Sequence, residues 1–488
     1  MSTATRPKRI LMVVASPAVS TTLGWPVGFW ASEMTHPYRA FSDAGYQIDL
    51  ASPKGGKVEL DALSDPRHES GYSASDTISL EFLNTPALAA LLENTRKLSE
   101  VRPEDYDSIV VCGGQSPMFT FREDKRLQSL IASFYESGKP TAALCHGVAS
   151  LIDTKLSDGS YLISGKTMTG FANIEEDEVN KIVGQTVMPW RIQDAATERG
   201  ANYVDGGLWA AYAVRDRRLI TGQQQHSGGE VAKLVIQALE GMSNTYILIG
   251  GAWLGAWAWD KVARRLEREG HKVLVPELPG HGQDQTPVSQ ITLDSYVETI
   301  GKLIERESGP VILVGHSMAG VVISAAAERY PERIASLIYV GAYLLQSGEQ
   351  IVQISQTAPD SLVGPNMVFA PDYSTVGIKP EAVREVFASD APQEDADRLS
   401  TLTRAEPAAP FQTPLTVTPE RFGRVPRRYI KTLRDRAVTP SLQDAMLAKL
   451  PCERVISMDT SHTPFFSAAD ELAMNIVTLS AASMSAQK

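Results

Sequence analysis

The sequence predicts an α/β protein of two domains, each built on a parallel sheet covered by helices. Its 488 residues are too many for a single hydrophobic core. Two series of short β-branched runs alternate with helical patterns, which is typical of parallel sheets with helices on both faces. Each series also carries a reactive side chain at a sharp turn between a buried run and small residues, in KPTAALCHGVAS (139–150) and GPVILVGHSMAGVVIS (309–324).

The composition favours an ordinary globular protein, with 43% hydrophobic and 21% charged residues. The formal net charge of −11 argues against nucleic acid as a main partner. No basic run offers a membrane-surface patch, and no apolar run approaches the roughly 18–20 residues of a membrane span. The N-terminal run ILMVVA is shorter than a signal-peptide core and indicates a first strand instead. Three cysteines are too few for a disulfide framework or a zinc site, so no metal or cofactor is predicted and a cytoplasmic enzyme is expected.

The first series predicts a domain of residues 1–241. Its strands are expected in RILMVVAS, QIDLAS, SIVVCGG, TAALC, KTMTGF and RLITGQ. The pattern EVAKLVIQALEG (230–241) predicts a last amphipathic helix that ends at a glycine. Residues 242–244 form a short connector.

The second series predicts a domain of residues 245–488. Its strands are expected in TYILIGG, KVLVPELPG, PVILVGHS, SLIYVGA, RRYIKTL and ERVISMD. Between about residues 343 and 424 the regular alternation of strand and helix patterns stops, and prolines recur among helical segments such as KPEAVREVFAS. That pattern is typical of an inserted helical cap over an active site.

The turn GHSMAG in the second series has the features of a nucleophile elbow. Gly315 and Ala319, two positions to either side of Ser317, are small, as a strained strand–turn–helix requires, and the N–H of Met318 is expected to stabilise an oxyanion. A serine needs a histidine base oriented by a carboxylate, and in this architecture the acid precedes the histidine. His462 is the only histidine downstream. Asp435, which follows the preceding strand, completes the predicted triad, with Asp459 in the histidine loop as a rival acid.

These residues resemble the α/β-hydrolase superfamily, in the branch of plant methylesterases, hydroxynitrile lyases and their bacterial esterase relatives. The resemblance covers about residues 245–479 and rests on GAWLGAWAWDKVARRLEREGHKVLVPELPGHG, VILVGHSMAG, YIKTLRDRAV and DTSHTPFFSAADELA. It implies that Ser317, Asp435 and His462 form the triad, and that the N–H groups of Ala252 and Met318 form the oxyanion hole.

Two departures from this branch bear on the chemistry. Its members usually carry His-Gly before the oxyanion loop, where this chain has Gly250 and Gly251. The hydroxynitrile lyases carry threonine at the position of Gly251 and lysine at that of Thr463. Without that lysine no cation holds a departing cyanide, so hydrolysis of small or medium carboxylic esters is favoured over lyase chemistry.

Cys145 stands at a turn of the same kind in the first series. It ends the run TAAL and is followed by His146 and Gly147. The start of a helix is expected to lower the pKa of a thiol, and a thiolate is nucleophilic without a strong base. Cys112 and Cys452 lack this context and are expected to be structural.

Residues from about 8 to 239 resemble the ThiJ/PfpI superfamily, which has the class I glutamine-amidotransferase-like fold, a flavodoxin-like parallel sheet sandwich. The motifs are FWASEMTHPYRAFSDAGYQIDLASPKGG, VVCGGQSPM, AALCHGVA, KTMTGFANIEEDEV and RLITGQQQHSG. They are most similar to the larger glyoxalase-III and heat-shock chaperone branch, and relatives in this superfamily imply a homodimer through this domain.

This resemblance also implies roles for individual residues. Cys145 would be the nucleophile, and Glu33 the buried carboxylate bonded to its thiol. Gly113 and Gly114 would supply oxyanion N–H groups. His146 is the expected base.

The acid that orients His146 is expected in FANIEEDEV, after the next strand. Glu175 is the preferred candidate. Spacing alone does not separate it from Glu176, so both stay open here.

A small pocket with a thiolate, an acid–base pair and oxyanion donors suits a 2-oxoaldehyde. The thiolate can add to the aldehyde, and proton transfer at the adjacent carbon then gives a hydroxy acid. Cofactor-free conversion of methylglyoxal to lactate is therefore predicted. Isonitrile hydration, amidase or peptidase action, and a chaperone or redox-sensing role are the alternatives. The sequence thus predicts a fusion enzyme with two small-molecule substrates, an ester and a 2-oxoaldehyde.

Overall fold

The computed structural model describes residues 6–481, which divide into two compact units between Met242 and Ser243. None of the helices in this range combines the length and the apolar character needed to cross a membrane.

The first unit is built on a seven-stranded sheet. The strands of the unit are β1 (Arg9–Val13), β2 (Ala18–Val19), β3 (Pro26–Val27), β4 (Gln47–Ser52), β5 (Arg96–Lys97), β6 (Ser108–Val111), β7 (Thr141–Leu144), β8 (Thr167–Met168), β9 (Asn202–Tyr203), β10 (Ala213–Asp216) and β11 (Leu219–Gly222). The sheet order is β10-β11-β7-β6-β1-β4-β5, and only the edge strand β10 is antiparallel to its neighbour. The strand expected in KTMTGF, β8, pairs with β9 outside this sheet.

Helices connect these strands. They are α1 (Ala31–Asp43), α2 (Thr77–Asn84), α3 (Pro86–Ala89), α4 (Pro117–Thr120), α5 (Lys125–Glu136), α6 (Ala149–Ile152), α7 (Asn173–Val183), α8 (Ile192–Glu198) and α9 (Gly228–Glu240). The central strands β6 and β7 are buried at every position, as expected for a covered parallel sheet. The predicted last helix is confirmed as α9, which ends at Gly241 in the left-handed region, φ +62°.

The second unit is built on a six-stranded sheet that is parallel throughout. The strands of the unit are β12 (Thr245–Ile249), β13 (Lys272–Leu274), β14 (Val311–His316), β15 (Ile334–Val340), β16 (Met367–Phe369), β17 (Thr375–Ile378), β18 (Glu406–Pro407), β19 (Arg427–Thr432) and β20 (Arg454–Met458). The six strands expected from the sequence form the sheet, in the order β13-β12-β14-β15-β19-β20.

The helices of this unit are α10 (Asp260–Arg268), α11 (Leu293–Arg306), α12 (Ala319–Arg329), α13 (Ile351–Ser355), α14 (Val363–Asn366), α15 (Val383–Phe387), α16 (Gln393–Leu402), α17 (Ala409–Gln412), α18 (Pro440–Lys449), α19 (Pro464–Ser467) and α20 (Ala469–Ala481). Helices α13 to α17 lie between β15 and β19, where the cap was expected. The cap also contains the antiparallel sheet β16-β17-β18, which the sequence pattern did not reveal.

Both sheets place the predicted site residues at the carboxyl ends of their strands. Cys145 directly follows β7, and Ser317 directly follows β14. Asp435 and His462 lie in the loops after β19 and β20. Ligands of open α/β sheets bind at this edge.

Candidate active sites

The backbone at Cys145 forms a sharp elbow between β7 and α6. Its φ of +54° lies in the left-handed region, which non-glycine residues rarely adopt, and the side chain is 3% exposed. A Cβ at Gly147 would lie 2.6 Å from the carbonyl oxygen of Val111. Glycine there allows the chain after the elbow to approach the neighbouring strand, which explains the small residue after His146.

Glu33, a fully buried residue in the first turn of α1, lies beside the thiol of Cys145, close enough for the two groups to influence each other's pKa. Burial raises the pKa of Glu33 to about 8. The backbone N–H groups of Gly114 and His146 point towards the Cys145 sulfur and favour its anionic form, which lowers the thiol pKa. Burial and the adjacent Glu33 carboxylate nevertheless raise the thiol pKa well above its usual value, so the expectation of a lowered pKa at the helix start is wrong.

This arrangement makes the carboxyl and the thiol one titrating pair. When the pair holds one proton, that proton can reside on Glu33 while the sulfur is anionic. The two N–H donors, from Gly114 and His146, stabilise that form. By accepting the proton of the Cys145 thiol, Glu33 allows a thiolate to form although the site is buried.

The expected oxyanion donors do not behave alike. The N–H of Gly113 donates to Glu33 Oε2 over 2.8 Å and is therefore occupied, so Gly114 is the only one of the two glycines whose N–H is directed at the sulfur. The expectation for Gly113 is corrected on this point, because the carboxylate needs a partner of its own when buried.

His146 lies between the thiol and a buried carboxylate. Its Nδ1 is 3.9 Å from Cys145 Sγ, and its Nε2 is 2.9 Å from Glu176 Oε1. The acid beside the histidine is therefore Glu176 and not the preferred Glu175. Neighbouring residues on a helix point about 100° apart, so only one of the two can face His146.

Glu175 has a different set of contacts. Its carboxylate accepts hydrogen bonds from Ala172 N over 3.0 Å, Trp209 N over 3.2 Å and Gln223 Nε2 over 2.7 Å. Burial raises its pKa to about 7. It holds the start of α7 and the loop around Trp209, which is a structural task.

Asp61 is a further buried carboxylate near this site that sequence reasoning missed. It accepts hydrogen bonds from Gly28 N over 2.9 Å and from Gln115 N over 2.7 Å, next to Gly114. Burial raises its pKa to about 6. No motif marks it, because its partners lie 33 and 54 residues away. A cavity of about 170 Å³ opens above Cys145.

Ser317 occupies the equivalent elbow in the second unit. Its φ is +55°, and the side chain is 7% exposed. Its N–H donates to Val340 O over 3.2 Å, and its carbonyl accepts from Tyr343 N over 3.0 Å. A Cβ at Gly320 would lie 2.2 Å from the Tyr343 carbonyl oxygen, so the helix after the elbow requires a glycine there.

Asp435 and His462 are directly bonded. The distance between Asp435 Oδ2 and His462 Nδ1 is 2.7 Å, and both side chains are buried. The N–H groups of Ala437 and Val438 donate to Asp435 Oδ1 over 2.7 and 2.9 Å. The rival acid, Asp459, is exposed and pairs with an arginine, so Asp435 is the acid placed to orient the histidine.

The base and the nucleophile belong to one cluster. His316, the neighbour of Ser317, donates from Nε2 to the carbonyl oxygen of His462 over 2.8 Å, and the two imidazole rings lie 4.5 Å apart. Within residues 6–481, Ser317 Oγ is not hydrogen-bonded to His462. Such bonds commonly tighten only when a substrate is bound.

The loop after β12 runs beside the serine elbow. A Cβ at Gly251 would lie 2.7 Å from Ser317 Cβ, which accounts for the glycine at this position. The N–H groups of Ala252 and Met318 have no hydrogen-bond partner among the described residues. They remain available to an anionic oxygen at Ser317.

Glu406, a residue of the cap, holds this loop through Trp253. Trp253 has φ +65°, its N–H donates to Glu406 Oε2 over 3.0 Å, and its indole N–H donates to Val376 O over 2.9 Å. His281 Nε2 and the Tyr296 hydroxyl each lie 2.9 Å from the other oxygen of Glu406. Sequence reasoning missed Glu406, because its partners lie 110 to 153 residues away.

The state of His281 follows from its surroundings. Its Nδ1 lies 2.8 Å from the Leu254 carbonyl oxygen, so both ring nitrogens face acceptors. Burial lowers the pKa of His281, whereas the Glu406 carboxylate, the Leu254 carbonyl and Glu277 raise it, and the net shift is upward. The buried His281–Glu406 pair therefore joins the cap to the loop that carries Ala252.

Known proteins match the two units separately. Residues 27–238 match the model of the DJ-1/PfpI family, and residues 246–475 match the Alpha/beta hydrolase family. Methylesterase 17 from Arabidopsis thaliana is 31% identical over 240 residues, which are 46% of this chain and 86% of that protein. Glyoxalase 3 from Candida albicans is 32% identical over 228 residues, which are 44% of this chain and 92% of that protein. A solved structure of an Arabidopsis methylesterase is 28% identical with a TM-score of 0.43, over 48% of this chain and 98% of that one.

Proposed function

The chain belongs to the DJ-1/PfpI family through its first domain and to the alpha/beta hydrolase family through its second, and from this premise we propose a two-site enzyme. Its second domain hydrolyses small or medium carboxylic esters at Ser317. Its first domain converts 2-oxoaldehydes to 2-hydroxy acids at Cys145.

The esterase proposal rests above all on the bond between Asp435 and His462 behind the Ser317 elbow. This bond holds the Nδ1 proton, so Nε2 is left as the base. Nε2 takes the Ser317 proton while Oγ attacks the ester carbonyl, and the N–H groups of Ala252 and Met318 receive the developing oxyanion. The alcohol leaves with that proton, and water then releases the acid from the acyl-enzyme.

The glyoxalase proposal rests on Cys145 between Glu33 and His146. The thiolate adds to the aldehyde carbon, and the new alkoxide takes a proton to give a hemithioacetal. His146 removes the proton on that carbon, and protonation of the neighbouring carbon gives a thioester. Water hydrolyses the thioester, so the aldehyde plus water yields the 2-hydroxy acid, with the thiol regenerated and no oxidant consumed. Glu176 stabilises the protonated His146.

One experiment tests both halves. Hydrolysis of p-nitrophenyl esters of graded chain length and consumption of methylglyoxal are measured on the wild type, Ser317→Ala and Cys145→Ala. Each substitution is expected to abolish one activity and to leave the other intact. Ester hydrolysis that survives Ser317→Ala would overturn the first proposal. Absence of Cys145-dependent methylglyoxal consumption, with suppression of aggregation of a denatured client intact, would replace the second by a protective role.

A further inference from the structure

The cavity above Cys145 has a polar floor and apolar walls. Glu33, His146 and Glu176 lie at the floor beside the thiol. Eleven of the eighteen lining residues carry aromatic or aliphatic side chains, among them Trp30, Phe171, Val179, Met188 and Trp209. The reacting head of a substrate therefore meets polar groups, while its substituent meets hydrocarbon.

Aromatic rings stand along this cavity from its floor to its mouth. The Phe171 ring lies 4.3 Å from the His146 ring and 6.0 Å from the Trp209 ring. The Tyr72 ring stands edge-on to Trp30 at 6.0 Å. Rings in edge-to-face and tilted arrangements at these separations are favourable partners for a further ring.

The mouth of the cavity exposes large apolar side chains to solvent. Tyr72 is 58% exposed and Ile182 is 73% exposed. Leu63, Trp25 and Val183 at the same rim are 38% to 43% exposed. Exposed apolar side chains around a reactive group are a feature of ligand-binding surfaces.

No lysine or arginine lines this cavity in the described part of the chain. A substrate whose substituent is a carboxylate or a phosphate finds no counter-charge there. A methyl substituent would leave most of the apolar wall in contact with water, so binding energy from that wall would go unused.

Given the proposed function, we propose that the Cys145 site selects 2-oxoaldehydes that carry an aromatic or bulky apolar substituent over methylglyoxal. The reaction is unchanged: the sulfur–carbon bond forms and is later hydrolysed, and an arylglyoxal plus water gives an aryl-substituted 2-hydroxy acid. The rim residues bind the substituent and do not take part in proton transfer.

The test compares phenylglyoxal with methylglyoxal on the full chain, with mandelate and lactate quantified as products. Cys145→Ala measures the background, because phenylglyoxal also modifies arginine side chains. We expect kcat/KM for phenylglyoxal to exceed that for methylglyoxal by at least about tenfold, the scale on which apolar pockets discriminate.

Two isoleucines of α7 provide matched variants. Ile182 lines the rim, whereas Ile174 is 46% exposed on the same helix and does not line the cavity. Ile182→Gln is expected to lower the phenylglyoxal-to-methylglyoxal ratio at least about threefold, and Ile174→Gln to leave it unchanged. Equal or better use of methylglyoxal by the wild type would overturn this inference while the glyoxalase proposal stands. Lack of Cys145-dependent turnover of both aldehydes would overturn the proposed function itself.

Discussion

Adjacent glutamates on α7 give a matched pair for testing the thiol site. Glu176→Gln is expected to lower kcat for 2-oxoaldehyde turnover by at least about tenfold, because an amide holds the protonated His146 less well than a carboxylate. Glu175→Gln is expected to retain kcat, because its hydrogen bonds serve the start of α7 and the loop at Trp209. Methylglyoxal consumption and the melting temperature are measured on both variants. An equal loss of kcat in both, at unchanged melting temperature, would contradict this assignment.

Single residues could be predicted from the sequence where the signal is local. Both elbows can be recognised from a short segment of sequence, because the apolar strand, the nucleophile and the small residues of the next helix follow one another directly. The sequence does not show which of Glu175 and Glu176 faces His146. Adjacent helix residues point about 100° apart, so the choice depends on how the helix is rotated about its axis. The hydrogen bond from Gly113 N–H to Glu33 joins residues that lie 80 positions apart in the sequence, so no local pattern predicts it.

Strands β12, β14 and β15 could be predicted because nearly continuous apolar runs mark buried parallel strands. The cap strands β16, β17 and β18 could not. They are two to four residues long, and one of them contains Pro407. Such segments carry too few residues for a period of two to emerge.

The short strand β18 nevertheless has a testable role in the esterase site. Glu406→Gln places an amide where Trp253 N–H and the protonated His281 both need an acceptor, so one of these donors is left unpaired. The loop that carries Ala252 then loses its anchor, and misplacement of an oxyanion donor lowers kcat by about tenfold or more. The loss should fall on kcat rather than on KM, because the donor acts on the transition state.

Steady-state hydrolysis of a p-nitrophenyl ester measures this effect. Glu381→Gln, at an exposed position of the same cap, is the control and should behave as the wild type. A folded Glu406→Gln protein with unchanged kcat would show that the ion pair has no part in positioning the loop.

On the scale of the whole molecule, buried carboxyls set the pH dependence of stability in the first domain. Their pKa values are raised to about 8 for Glu33, about 7 for Glu175 and about 6 for Asp61. In the unfolded chain the same groups titrate near 4.5, 4.5 and 3.8. The folded state therefore keeps protons that the unfolded state has lost, and the free energy of unfolding falls as pH rises from about 5 to about 8.

Thermal unfolding at a series of pH values in this range measures the effect. The transition of the first domain should move to lower temperature as pH rises. Glu33→Gln carries no ionisable group at this position, so it should flatten the slope. A first-domain transition that keeps one melting temperature from pH 5 to pH 8 would contradict the buried neutral state of these carboxyls.

The left-handed backbone at both nucleophiles, +54° at Cys145 and +55° at Ser317, also bears on how the protein can be captured with its substrates. This conformation costs a non-glycine residue about 1 kcal/mol. Each elbow therefore positions its nucleophile but lowers the free energy of unfolding. Cys145→Gly and Ser317→Gly remove the reacting atom and relieve the backbone, whereas the alanine variants remove only the atom. Calorimetry should therefore find each glycine variant at least as stable as its alanine counterpart. Inert proteins of that kind are the natural starting point for trapping intact substrates in crystals.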